Sequence, residues 1–316
     1  MLQAGAPLQK LHLDECLLQD GDEVLAAALA ELPPLEHLCI DGCKVVDHGG
    51  YVREFHCATG MFEQLTQLTY LELGGVRLHP WKDMWDYTDA GEEPPGPDNP
   101  QKPNLQALTC LVDLRLSSSG GDSVSAEMLS GLSKLTRLEL LGFEDFDACV
   151  LADKTLLHHL RLPYMRCHQH EGDAGTGALL SQLQPLQQLT YLCLRASLHV
   201  YKDGDPPVAA FSALTASSNL QHLDIGYCSM SKGAWQHILP SGSQLAQLRS
   251  LNICSPVGSW EDSLKRCPSG SEGSRLVSCC PGLRSLNICG LRPSAELLAA
   301  LKGLSGLHVS TEYAKY

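Results

Sequence analysis

Leucines recur along the chain at a fixed spacing, L-x-x-L-x-L, with mostly polar residues between them. The stretch 65–73 (LTQLTYLEL) shows the pattern most plainly, and it returns almost letter for letter at 186–194 (LQQLTYLCL). A strand sends successive side chains to opposite faces. Leu71 and Leu73 therefore predict a buried face, and so do Leu192 and Leu194. Glu72 and Cys193, lying between them, predict an open one. Leu68 and Leu189, three residues earlier, sit where the chain turns into the strand. One such strand cannot bury its leucines alone, but a stack of copies can.

The core begins at Leu8, Leu35, Leu68, Leu111, Leu135, Leu157, Leu189, Leu220, Leu248, Leu283 and Leu304. The intervals are 27, 33, 43, 24, 22, 32, 31, 28, 35 and 21 residues, so half fall between 20 and 29 and the others carry insertions. Between cores, apolar residues at helical spacing predict return helices over 23–32, 126–132, 177–183, 208–216, 233–239 and 295–301. Ser294 is placed to cap the last of these, with Gly303 beyond its end. Three inserts break the rhythm. Residues 77–104 are long, acidic and Pro-rich (EEPPGPDNPQKP), a composition that resists packing. Residues 168–177 (HQHEGDAGTG) are polar and glycine-rich, and 255–273, with its SGSEG run, reads as a mobile linker.

These eleven cores resemble the leucine-rich-repeat family along nearly the whole chain. Cys16, Cys43 and Cys228, each three residues after a strand's last apolar residue, are similar to the cysteine-containing subtype found in F-box receptors and in many algal and plant proteins. Val76, Ser119, Phe143, Met165, Ser197, Pro256 and Leu291 hold that place in other copies. The resemblance implies an α/β fold: a curved solenoid with a parallel sheet on its concave face and helices and loops on its convex face. A single domain, 1–316, is expected, with the insert at 77–104. The first core starts at Leu8 and the last ends at Val309, leaving no room for end caps, which suggests a fragment or ends used in contacts.

Charge narrows the partners. Lys and Arg total 23 against 36 Asp and Glu, a net charge of −13, which disfavours nucleic acid and acidic membranes. No apolar run is long enough to span a bilayer, and the first ten residues lack the layout of a secretory signal. The 14 cysteines fall largely on repeat positions, as in Cys16, Cys43 and Cys228, and mid-strand on the open face, as in Cys39 and Cys193. That placement reads as free thiols in a reducing, cytoplasmic setting.

Two candidate surfaces follow. The open sheet face carries His12, Cys39, Glu72, Arg115, Glu139, Arg161, Cys193, Asp224, Asn252, Asn287 and His308 at mid-strand. Two residues earlier come Tyr70, Asp113, Arg137, His159, Tyr191 and His222. Glu72, Arg115, Glu139 and Arg161 alternate in sign on neighbouring strands. That is consistent with a self-paired ladder and with a charged recognition face flanked by Tyr70 and Tyr191. The second surface is a loop edge, where Leu78-His79-Pro80-Trp81-Lys82-Asp83 matches Leu198-His199-Val200-Tyr201-Lys202-Asp203 and Trp260-Glu261-Asp262 is a looser echo. Trp81, Asp83, Tyr201, Asp203 and Trp260 could anchor a partner there or pack under the loops.

No nucleotide, metalloprotease or nucleophile-elbow motif is present. His158, His159, Cys167, His168 and His170 lack zinc-ligand spacing, so no metal and no cofactor is expected. The expected function is non-catalytic protein binding or scaffolding. Its narrower forms are the substrate-recognition part of an F-box ubiquitin ligase, although no F-box-like segment precedes Leu8, and a structural, cytoskeletal component of a cilium axoneme.

Overall fold

The computed structural model describes residues 7–19, 21–32, 34–46, 52–57, 60–77, 105–119, 122–167, 175–198, 206–231, 233–242, 244–255 and 268–311. The chain divides into two compact units, Met1–Leu135 and Thr136–Tyr316. The same repeat grammar builds both. In the first, four strands pair in parallel and in chain order: Lys10–Asp14, His37–Asp41, Tyr70–Val76 and Asp113–Ser118. The register aligns Leu11, Leu38, Leu71 and Leu114. In the second, seven strands do the same: Arg137–Leu141, His159–Arg161, Tyr191–Cys193, His222–Asp224, Ser250–Asn252, Ser285–Asn287 and His308–Ser310. Leu138, Leu160, Leu192, Leu223, Leu251 and Leu286 line up and are buried. The expected α/β architecture, a parallel sheet with helices and loops as returns, is what the chain forms.

Alternation of faces appears in both units, broken at Cys39 and Glu139, which are buried with their neighbours. Asp113–Ser118 runs half-buried, buried, half-buried, buried, and His159–Arg161, Ser250–Asn252 and Ser285–Asn287 show the same alternation. The last repeat departs from expectation. Val309, not Leu307, stands opposite Leu286, and Ser310, not His308, stands opposite Asn287. The slip is two residues, which keeps every side chain on its own face and so costs little.

Where most of these strands end, the chain turns through a residue in the left-handed region, two places after the last apolar residue. Gly42 and Gly142 adopt it without steric cost, while Glu15, Tyr164, Ala196 and Tyr227 adopt it as non-glycines. One place later lies the cysteine position, and it forms a ladder between repeats. The Cys43 thiol donates to the Leu13 carbonyl at 3.5 Å, and the Cys228 thiol donates to the Leu194 carbonyl at 2.9 Å. The Ser197 hydroxyl donates to the Leu162 carbonyl in the same way. Each acceptor is the last apolar residue of the preceding strand. Cys16 departs, donating to Asp14 within its own repeat.

The returns are α-helices at Gly21–Ala30, Ala126–Leu129, Gly175–Leu183, Ala234–Ile238, Gly270–Cys279 and Ala295–Leu301. The return helix expected over 177–183 begins two residues earlier, at Gly175. The expected helix over 208–216 is a 3-10 helix, Val208–Thr215. Its largest buried side chains, Phe211 and Leu214, are three residues apart, a spacing that suits three residues per turn. Ser294 does cap Ala295–Leu301, accepting from Leu297 N at 3.1 Å.

The SGSEG run is not a mobile linker. Ser269 caps the helix Gly270–Cys279, its hydroxyl accepting from Glu272 N at 3.4 Å while the Glu272 carboxylate accepts from Ser269 N at 2.7 Å. Gly273 serves close packing: a Cβ there would meet Leu297 Cδ1 at 2.5 Å. Ser269→Ala should therefore lower the unfolding free energy by about 1 kcal/mol in urea titration. No change would show the cap to be frayed in solution. Residues 256–267, the rest of that insert, lie outside the described residues, as do 168–174 and 78–104.

Candidate functional site

The outward sheet face holds every strand residue singled out in the sequence. In Met1–Leu135, Tyr70, Glu72 and Arg115 come together. The Cα register sets Tyr70 beside Asp113 and Glu72 beside Arg115. The Tyr70 hydroxyl donates to Glu72, and Arg115 forks onto Asp113 at 3.1 and 3.2 Å. Arg115 also lies 3.9 Å from Glu72 and 5.1 Å over the Tyr70 ring. Burial, and then the carboxylate of Glu72, push the Tyr70 hydroxyl above its ordinary range. His37, one strand back, stacks on Tyr70 with ring centroids 3.9 Å apart. Burial and the nearby Lys10 lower its pKa, so the stacked imidazole is neutral at neutral pH.

In Thr136–Tyr316 the centre is Glu139. Its side chain is only 9% exposed, beneath Arg137 at 2.8 Å, His159 at 3.1 Å and Arg161 at 3.4 Å. Burial alone would raise its pKa, but the neighbouring His159 and Arg137 outweigh burial and hold the carboxyl down at about 2. His159 stacks on Tyr191 at 4.1 Å, and Tyr191 in turn meets His222 at 5.8 Å, tilted. Further along, Asp224 accepts from Arg195 Nε at 3.2 Å and from Gly226 N at 3.0 Å. Arg195 also lies 5.9 Å from the Tyr227 ring.

The two LTYL copies thus carry a matched neighbour. His37 and His159, at the same strand position, face Tyr70 and Tyr191. His37 was not among the residues singled out, although aligning the cores places it beside Tyr70. Arg195 and Tyr227 were also missed. They follow their strands, in the turn, where alternation says nothing.

Three expectations for this face are corrected. Cys39 and Cys193 occupy outward positions yet are buried, at 5% and 4% exposure. They are small and lie between larger side chains: Cys39 between His12 and Glu72, and Cys193 between Arg161 and Asp224. Glu139 is likewise covered rather than open. Burial pushes the Cys39 thiol up to about 11 and Cys228 up to about 12, so both are protonated packing groups and not nucleophiles.

Trp81, Asp83, Tyr201, Asp203 and Trp260, the loop-edge candidates, lie outside the described residues. Leu198, which opens the second loop copy, is described and fully buried. His168 and His170 are outside as well, while His158 is exposed just before its strand. Among the described residues no group of three His, Cys, Asp or Glu side chains is placed to hold a metal, and no helix is long and apolar enough to cross a membrane.

The fold is shared with solved leucine-rich-repeat structures. A leucine-rich-repeat protein of Leptospira interrogans superposes with a TM-score of 0.50 at 17% identity, over 96% of this chain and 72% of that one. A chain of the PEPR1–AtPEP1 crystal structure gives 0.51 at 16% identity, over 97% of this chain. This chain spans only 35% of that longer one. An internalin of Listeria monocytogenes gives 0.42 at 16% identity, over 98% and 88% of the two chains. No family model matches the sequence, and no curated protein does. At these identities the first two likenesses establish the leucine-rich-repeat fold alone.

Proposed function

We propose that the chain is a non-catalytic protein-recognition module that engages another protein through the outward face of its parallel sheet. The observation that carries this is the state of that face. A parallel sheet ordinarily hides both sides. Here one side is packed with leucines and the other presents half-buried rings, guanidinium groups and amides already held in place by one another. Such side chains have little freedom left to lose on binding, which is what a recognition surface needs. The paired carboxylates and protonated thiols offer no activated nucleophile or poised general base. The repeats in both units follow one grammar, and 1–316 is read as one repeat domain.

The narrower placements rest on resemblance. The thiol ladder of Cys43 and Cys228 supports the cysteine-containing subtype, hence the F-box receptor reading; the axonemal reading has the algal likeness only. Those thiols act as hydrogen-bond donors, which requires their reduced form and supports a cytoplasmic setting. The loop edge, with Trp81, Tyr201 and Trp260, is the competing surface.

The test replaces Glu72, Arg115 and Arg161 together by Gln. Glu72 and Arg115 are each about a third exposed, and such pairs contribute about 1 kcal/mol or less; Arg161 is 42% exposed, and its buried partner Glu139 keeps Arg137 and His159. The variant should fold with an unfolding midpoint close to wild type and lose the proteins that wild type captures from extract. Unchanged capture would move the binding surface off the sheet; unfolding would make the ladder structural.

A further inference from the structure

The outward face of Thr136–Tyr316 has an uneven hydrogen-bonding inventory. The carboxylates of Glu139 and Asp224 and the side-chain carbonyls of Asn252 and Asn287 are engaged inside the protein. Both Glu139 oxygens are engaged by the surrounding Arg137, His159 and Arg161, and both Asp224 oxygens by Arg195 and Gly226 N. Asn252 and Asn287 spend their side-chain carbonyls on the backbone N–H of Cys254 and Cys289, at 3.2 and 3.0 Å. Their side-chain N–H groups remain as donors. Arg137 and Arg161 remain 36% and 42% exposed above the one carboxylate they share, so two permanent cations face a single anion. The chain as a whole carries −13, and this face runs against that balance.

From this we infer that the face centred on Arg137, Arg161 and Tyr191 binds an acidic, Asp/Glu-rich segment of another protein. A donor-rich, acceptor-poor surface pairs with carboxylates and with the carbonyls of an extended peptide. Guanidinium groups do this by forking onto a carboxylate. Their partial ties to Glu139 hold them in position and lower the ordering cost of binding. Tyr191, propped between His159 and His222, gives the peptide stem a flat apolar floor. A basic partner would meet carboxylates already paired with Arg137, Arg161 and Arg195. The inference rests on the recognition reading above and gives it a partner chemistry.

The experiment measures binding of a fluorescein-labelled oligoglutamate peptide to the full chain by anisotropy at low salt, beside oligoglutamine, oligolysine and a single-stranded oligonucleotide of similar length. The expected result is binding of oligoglutamate alone, weakening as salt rises. Arg161→Gln is the informative variant, because Arg137 and His159 still hold Glu139 and the fold is retained. It should weaken oligoglutamate by about tenfold or more, with an unchanged unfolding midpoint, and Arg161→Lys should recover part of the loss. Equal binding of oligoglutamine, preference for oligolysine or the oligonucleotide, or indifference to Arg161→Gln would each overturn the acidic-partner inference. If that happens while the Glu72, Arg115 and Arg161 variant still loses its extract partners, the recognition reading stands without this chemistry. If both fail, the sheet face is not the binding surface.

Discussion

Leu192→Ala should lower the unfolding free energy by about 2–5 kcal/mol, and Leu71→Ala by a similar amount. Both leucines are fully or almost fully buried, and each sits in an aligned leucine row. Truncation removes the transfer energy of the side chain and leaves a void whose walls belong to three consecutive strands. A solenoid passes such damage on, because each repeat is stabilised mainly by its neighbours. Chemical denaturation read by far-UV circular dichroism measures the loss. Ser250→Ala, on the outward face of the same sheet, is the control and should move the midpoint little. A neutral Leu192→Ala would mean that the strand faces are assigned the wrong way round.

Glu139→Gln should cost about 3 kcal/mol at neutral pH, and that cost should vanish in acid. The carboxyl falls from an ordinary value of 4.5 to about 2 in the folded chain, and each unit is worth about 1.4 kcal/mol. A depressed folded pKa means that the unfolded chain takes up the proton first. The stabilisation is therefore complete above about pH 4.5 and is lost as pH falls toward 2. Urea titrations of wild type and Glu139→Gln should diverge at neutral pH and converge at the acid end of that window. Parallel curves across the window would show that Glu139 is not the tie that holds Arg137, His159 and Arg161 together. The same substitution should also slacken the acidic-segment site, since the two guanidinium groups lose their common anchor.

The sequence made the repeat legible because a period of two within strands and a recurring leucine frame both survive insertions. The inward residues, from Leu38 through Leu286, sit where alternation put them. What it could not show depended on size and register. Cys39 and Cys193 have the right parity for an open face, but parity does not say that Glu72 or Arg161 will overhang a small neighbour. The last strand keeps parity and slips by two, which the pattern Leu304-Leu307-Val309 cannot distinguish from the unslipped alternative. The helix Gly270–Cys279 was hidden by composition: Ser and Gly suggested a linker, whereas Ser269 and Glu272 had the spacing of a capping box. On the candidate face, the charged residues and the tyrosines were visible. Their partners were less so, because His37 against Tyr70 and His159 against Tyr191 are contacts between strands.

The measurement that bears most directly on the central claim is photo-crosslinking from defined positions in extract. A benzophenone amino acid is placed at Tyr191 on the sheet face, at Trp81 in the acidic, Pro-rich insert, and at Ser274 on the exposed side of a return helix. Recognition through the sheet predicts a partner adduct from Tyr191, weakened by added oligoglutamate, and none from Ser274. Adducts from Trp81 with none from Tyr191 would contradict the account and assign binding to the loop edge.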